Sequence, residues 1–303
     1  MNIETKDFLA SFGPTGNLVR LFFKPCSCEI FHWCEEESEL LAHPQYYGVP
    51  LLFPPNRTEN GSFRFQDRVY RMKINDPVNH YNVHGFLLDK RPEKMVHEGD
   101  LVRSVLRWTP QDTDFAGFPH EFELVMEYRF GPGSVHMETT ITNHSGTDMP
   151  CGIGFHTAFA APRDEKIFLH VPNDGTFWHV HPSKRLPDGT KEKLSPEVAA
   201  VLDGKEETRF CNLGAQFSAR NGGECFQILR KEVLIRYAVD PKFRFFAVWN
   251  GERKRDLICL EPMSQLANAP NLPLPPQESG VRALAPGEMI VFAMEFLISP
   301  RGN

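Results

Sequence analysis

Basic residues are not in excess in this chain of 303: 33 Lys and Arg stand against 39 Asp and Glu, a formal net charge of −6. A nucleic-acid binder gathers Lys and Arg on one face to meet the phosphate backbone, so this balance argues against that class. Long apolar runs are also missing. No window approaches the ~20 apolar residues that a membrane helix needs. The opening Met1-Asn2-Ile3-Glu4-Thr5-Lys6-Asp7 lacks the basic-then-apolar order of a secretory signal. The expectation is a soluble, cytoplasmic protein without a membrane or nucleic-acid partner. Disorder is excluded in turn, because 41% hydrophobic and 24% charged residues describe an ordinary globular chain.

Recognisable metal spacing is absent as well. The 7 cysteines, Cys26, Cys28, Cys34, Cys151, Cys211, Cys225 and Cys259, are odd in number, and reduced thiols are expected. Cys26, Cys28, His32 and Cys34 match no standard zinc pattern, and no second ligand pair follows. Small buried apolar side chains are expected there, and no metal.

Helical signals are scarce. Ser38–His43 and Ser195–Leu202 each suit a helix of one or two turns, the second with Ser195-Pro196-Glu197 as cap and first turn. Period two dominates instead. Phe122, Leu124, Met126, Tyr128 and Phe130 alternate with mostly polar neighbours, and after Gly131-Pro132-Gly133 the pattern resumes at Val135, Met137, Thr139 and Ile141. Two such runs around a Gly-Pro-Gly break predict an antiparallel hairpin with one wet face. Similar runs lie at Phe63–Met72, Leu101–Thr109, Lys166–Val171, Val233–Val239, Phe243–Trp249 and Met289–Ile298. Many strands and few helices predict an all-β sandwich or barrel. Neither Pro172–Lys193 nor Asn268–Gly287 reads as a linker: the first holds Phe177 and Trp178, and cutting at the second would strand one apolar strand. Residues 1–303 are therefore expected to form one domain.

Four polar clusters interrupt the strands: Phe53-Pro54-Pro55-Asn56-Arg57 with Gly61-Ser62-Phe63; Asn82-Val83-His84-Gly85-Phe86; Gly152-Ile153-Gly154-Phe155-His156-Thr157-Ala158-Phe159; and Cys259-Leu260-Glu261-Pro262-Met263 with Asn268-Ala269-Pro270-Asn271. Each has an ordinary structural explanation. Arg57 suits a solvated turn, His84 a loop cap, His156 a satisfied core histidine, and Glu261 an ion pair with a nearby base.

Taken in order, however, Asn-Arg, His-Gly, Gly-x-Gly-x-His-x-x-Phe and Leu-Glu-Pro with a trailing Asn resemble the aldose 1-epimerase (galactose mutarotase) family. Phe63, Tyr70, Phe118-Pro119, Tyr128, Asn143 and Met149-Pro150 also stand in the family's order, and Arg185-Leu186-Pro187-Asp188-Gly189 resembles its Pro-Thr-Gly turn with Asp for Thr. The resemblance runs from about Gly48 to Ile298. It implies a β-supersandwich of large antiparallel sheets. It also implies interconversion of the α and β anomers of a free hexose, in which a base takes the C1 hydroxyl proton while an acid protonates the ring oxygen. A positioned acid and base are each worth ~10²–10⁴-fold. The reaction moves no electron, phosphate or acyl group, so no cofactor is expected.

Carried over, Glu261 would be the base and His156 the acid. His84 would stabilise charge on the ring oxygen, Arg57 would bind a sugar oxygen with Asn56 ordering its turn, and Trp249 or Phe159 would stack on the sugar. The only partner implied is the small sugar itself, with the protein a monomer or homodimer. One departure concerns the substrate. The family's galactose-active members carry a sugar-gripping aspartate between the second histidine and the glutamate, and here Phe210–Ala219 holds no acidic residue.

Two alternatives follow. A hexose-6-phosphate mutarotase would want clustered bases near the site, yet alternation would split Arg57, Arg64, Arg68 and Arg71 between faces. A non-catalytic sugar-binding or regulatory protein of the same fold would have no need for an acid–base pair. A glycosidase would want two carboxylates, and only Glu261 sits in a motif.

Overall fold

The computed structural model describes residues 1–181, 183–208, 214–218, 225–251 and 255–302. Two antiparallel eight-stranded sheets dominate it, as the alternating runs predict. The first runs, from edge to edge, through Lys94–Glu98, Leu101–Trp108, Phe122–Gly131, Ser134–Asn143, Met289–Pro300, Val233–Val239, Cys225–Leu229 and Phe168–His170. The expected hairpin is its centre, with Phe122 paired to Asn143 and Gly131 to Ser134. Its strands bury alternate residues, so one face is wet and the other apolar.

The second sheet runs Pro187–Lys193, Thr176–Val180, Gly214–Ser218, Phe245–Trp249, Leu257–Met263, Gly154–Phe155 and Leu51–Leu52, while Thr157–Ala160 also pairs with Leu257–Met263. Its central strand, Leu257–Met263, is buried at all seven positions. Ile258 and Leu260 join the main core, whereas Leu257, Cys259 and Met263 pack in smaller clusters on the opposite face. The sheets meet through aromatic rings. Phe159 lies 5.7 Å from Tyr237 and 6.1 Å from Phe296, and Phe226 lies 5.0 Å from Phe246, centroid to centroid. Large side chains of this kind dominate core energetics, because fully burying one is worth ~1.5–3 kcal/mol.

Among the described residues the α-helices are Glu37–Ala42, Pro196–Leu202 and Pro276–Ser279. Ser195 caps the second as expected, accepting from the Val198 N–H. Among the described residues no helix is long and apolar enough to cross a membrane. One alternating run is broken in two, as the resemblance to an early hairpin implies. Phe63–Met72 folds as a tight hairpin, Ser62–Phe65 with Arg68–Arg71, because Gln66 takes a left-handed φ of 50° and reverses the chain. Conversely, the turn-rich Pro172–Lys193 carries the paired strands Thr176–Val180 and Pro187–Lys193.

Candidate active site

Glu261 belongs to the face of Leu257–Met263 that turns away from the main core. The register pairing Gly154 with Met263 and Thr157 with Leu260 sets His156 opposite it. The side chains meet, His156 Nε2 lying 3.3 Å from Glu261 Oε1, and the two residues are only 4% and 3% exposed. Glu261 is the single buried carboxylate among the described residues, and it pairs with no lysine or arginine there. A buried carboxylate without a cation partner is costly unless the site uses it.

Loop geometry delivers the remaining groups. Phe53 and Gly85 bridge in parallel, and the Phe86 N–H donates to the Phe53 carbonyl at 3.1 Å. A Cβ on Gly85 would fall 1.8 Å from that carbonyl oxygen, and φ there is +78°, so only glycine fits. This close approach holds His84 next to Asn56, and the His84 N–H donates to the Asn56 carbonyl at 2.6 Å. Both residues sit at left-handed φ, 66° and 60°. Non-glycine residues adopt such backbone at a cost and cluster at functional sites. The His84 ring meets the His156 ring edge-on at 5.0 Å. The Nδ1 atoms of both rings are buried and lack a protein partner, an arrangement that invites a ligand's polar atoms.

Arg57 pairs with Val83 in a two-stranded sheet and donates from Nη1 to Asn56 Oδ1 at 3.3 Å. The trailing asparagines tie this strand down rather than reaching a ligand. Asn268 donates its N–H to the Arg57 carbonyl at 2.7 Å and accepts from Glu59 N–H, and Asn271 donates to the Ser62 carbonyl. Trp249 is half-buried with its ring 5.9 Å from His156, and Tyr46 stacks on it at 5.9 Å. Phe159, the other stacking candidate, is sealed in the core against Phe31, Tyr237 and Phe296, so it is withdrawn as a sugar contact.

The electrostatics follow from this enclosure. Burial, then the charges of His156 and Arg57, pushes the His84 pKa well below the ordinary value of 6.5 and keeps the ring neutral. Burial also lowers the Arg57 pKa; Glu261 opposes the shift and Arg185 adds to it. The Cys259 thiol is pushed well above its usual range, by burial first and Glu261 second, so it is inert. Among the described residues no group of three or more His, Cys, Asp or Glu is arranged to hold a metal.

Thus Glu261, His156, His84, Arg57, Asn56 and Trp249 converge, while Arg64, Arg68 and Arg71 stand exposed on their separate hairpin. Of the acid-free stretch Phe210–Ala219, residues 210–213 and 219 lie outside the described residues, as does Cys211. Gln216 within it is buried on the site face, aligned through Ala247 with Glu261. No motif marked Gln216, Ala247 or Tyr46; each becomes legible only once strand register is known.

Solved structures of similar architecture agree with this picture. A galactose mutarotase-like protein from Clostridium acetobutylicum superposes with a TM-score of 0.89 at 24% identity, covering 99% of this chain and 95% of that one. A galactose mutarotase-like protein from Lactobacillus casei gives 0.76 at 18% identity, covering 99% of each chain. An aldose epimerase homologue from C. elegans gives 0.78 at 14% identity, covering 100% of this chain and 99% of that one. At such identities the likeness is one of fold. The family model for aldose 1-epimerase matches residues 23–297, and the chain belongs to the aldose 1-epimerase family.

Proposed function

We propose that this protein is a mutarotase that interconverts the α and β anomers of a hexose by acid–base ring opening and closure. The observation that carries this reading is Glu261, the lone buried carboxylate among the described residues, held 3.3 Å from His156 with His84 against the same ring. A sugar held against this pair meets an acceptor in Glu261 and a donor in His156. Glu261 takes the proton of the C1 hydroxyl, and the C1 oxygen forms the aldehyde carbonyl as the bond from C1 to the ring oxygen breaks. The electron pair of that bond passes to the ring oxygen, which takes its proton from His156. Rotation about C1–C2 turns the other aldehyde face, and the same steps reversed close the other anomer. Neutral His84 offers a hydrogen bond to the oxygen on which charge develops, Arg57 holds a sugar oxygen, and Trp249 supplies an apolar face.

The two alternatives differ in what they require. A sugar-binding module has no need for a desolvated carboxylate facing a histidine, since burial of that charge weakens the fold for no gain in affinity. Anomer exchange of freshly dissolved α-glucose and α-galactose, followed by polarimetry, tests the reading. Decay of optical rotation faster than in buffer, lost in Glu261→Gln, is the expected result. Equal decay with and without protein for every aldose would leave a binding protein.

A further inference from the structure

The turn between Thr176–Val180 and Pro187–Lys193 leans on the small sheet that carries Arg57. Lys184 Nζ pairs with Glu59 Oε1 at 3.1 Å, and the Tyr81 hydroxyl donates to the Lys184 carbonyl at 2.5 Å. Glu59 and Tyr81 are register partners in that sheet, two residues from the Arg57–Val83 pair. The docking therefore brings Arg185 to the Arg57 side of the site. Its backbone is fixed there in a left-handed turn, φ 52°, by its N–H donating to the His181 carbonyl at 2.8 Å.

Neither arginine forms an ion pair with a described residue. The nearby carboxylates have other short-range partners, Glu59 in Lys184, Asp76 in the Asn79 amide at 2.8 Å and Glu261 in His156, although Glu261 and Asp76 also act on Arg57 through space. Arg57 spends one donor on Asn56, and Arg185 is exposed. The charge of Arg185 acts on Arg57 strongly enough to help lower its pKa. Glu261 and Asp76 offset part of this repulsion at Arg57 without closing an ion pair, and an anion lying between the two guanidiniums would relieve the rest.

Resting on the mutarotase reading of the same site, we propose that Arg57 and Arg185 together bind an anionic group, a phosphate monoester or a carboxylate, carried by the aldose at the end remote from C1. The guanidinium fork suits both anions. Gln216 fits the same substrate. Its Oε1 accepts the Ala267 N–H at 3.2 Å, which leaves Nε2 to donate. An acid on that part of the face would repel an anionic sugar, whereas the amide does not.

The test is anomer exchange of glucose, glucose 6-phosphate and glucuronate by wild type, Arg185→Ala and Arg185→Lys. A lost charge-assisted contact of this kind corresponds to about tenfold in affinity. Wild type should favour at least one anionic sugar over glucose in kcat/KM. Arg185→Ala should lower kcat/KM for that sugar by about tenfold, chiefly through KM, with a clearly smaller loss for glucose and partial rescue by lysine. Preference for the phosphate or for the uronate names the source of the anion. Exchange of glucose with no anionic preference, or an equal loss for all three sugars in Arg185→Ala, overturns the proposal and leaves the mutarotase reading intact. If no sugar is exchanged, calorimetric binding of glucose 6-phosphate and glucuronate decides. Binding weakened by Arg185→Ala keeps the anion site and removes the mutarotase, and no binding overturns both.

Discussion

Ala247 lies directly opposite Glu261 on the neighbouring strand, and a single methyl group is all that stands beside the carboxylate on that side. Its other register partner is Gln216, so Ala247 separates the buried acid from the buried amide. Replacing it by leucine would fill that gap. Overpacking costs ~1–3 kcal/mol in a filled core, whereas here the larger effect falls on the ligand. Ala247→Leu should raise KM by more than about tenfold, the factor that corresponds to ~1.4 kcal/mol of lost binding, and lower the melting temperature only modestly. Anomer-exchange kinetics beside a thermal melt check this, and an unchanged KM would place the sugar elsewhere.

Glu261→Gln keeps the volume and removes the charge. The base is expected to be worth ~10²–10⁴-fold in kcat, and sugar binding should survive because the amide still reaches the C1 hydroxyl. Removing a buried charge that forms no ion pair with a described lysine or arginine should leave the melting temperature equal or higher. A variant that exchanged anomers at the wild-type rate would clear Glu261 of the role. His156→Gln should likewise lower kcat more than it weakens binding, and equal losses would make His156 a binding residue only.

The parts legible in the sequence were those with local causes. Alternation over Phe122–Phe130 and Val135–Ile141 encodes one wet and one dry face, and the hairpin forms where the pattern breaks at Gly131-Pro132-Gly133. Glu261, His156 and His84 were legible because the order of their motifs resembles a family; singly, each has an ordinary structural explanation. What brings them together is non-local. The distance between His156 and Glu261 depends on the register of strands about a hundred positions apart in the chain, and the choice between Trp249 and Phe159 depends on which face of a sheet is sealed. Arg185 was visible only as part of a turn motif, because its meaning depends on Lys184 finding Glu59.

Gly85 has no room to change. A Cβ would meet the Phe53 carbonyl at 1.8 Å on a backbone with φ of +78°. Left-handed strain alone is worth ~1–3 kcal/mol, and the clash adds to it. Gly85→Ala should therefore destabilise by at least about 2 kcal/mol and move His84 away from His156. Urea unfolding gives the first quantity, and activity at low temperature, where the variant is still folded, gives the second. A stable Gly85→Ala with full activity would contradict the tight bridge that positions His84.

Histidines whose pKa burial lowers, His120 and His84 together with His32, weaken the fold in acid. His120 is buried between Tyr70, whose hydroxyl lies 2.8 Å from Nε2, and Ser145, whose Oγ lies 2.9 Å from Nδ1. A neutral ring satisfies both: it accepts from the tyrosine and donates to the serine, which in turn donates to Asn143 Oδ1 at 2.7 Å. Burial first, and Arg68 second, lowers the His120 pKa to about 4. His84 is shifted the same way by its own burial. In the unfolded chain both titrate near the ordinary value of about 6.5. Below that pH the unfolded state binds the extra protons and the native state does not, so stability present above about 6.5 declines as pH falls. For His120 the loss is complete once pH passes below about 4. The urea midpoint should therefore be steady from pH 8 to about 7 and fall through pH 6, 5 and 4.5. His120→Asn should start from a lower midpoint at pH 7.5 and lose less on acidification. A wild-type midpoint independent of pH between 7 and 4.5 would mean that these rings are charged in the native state.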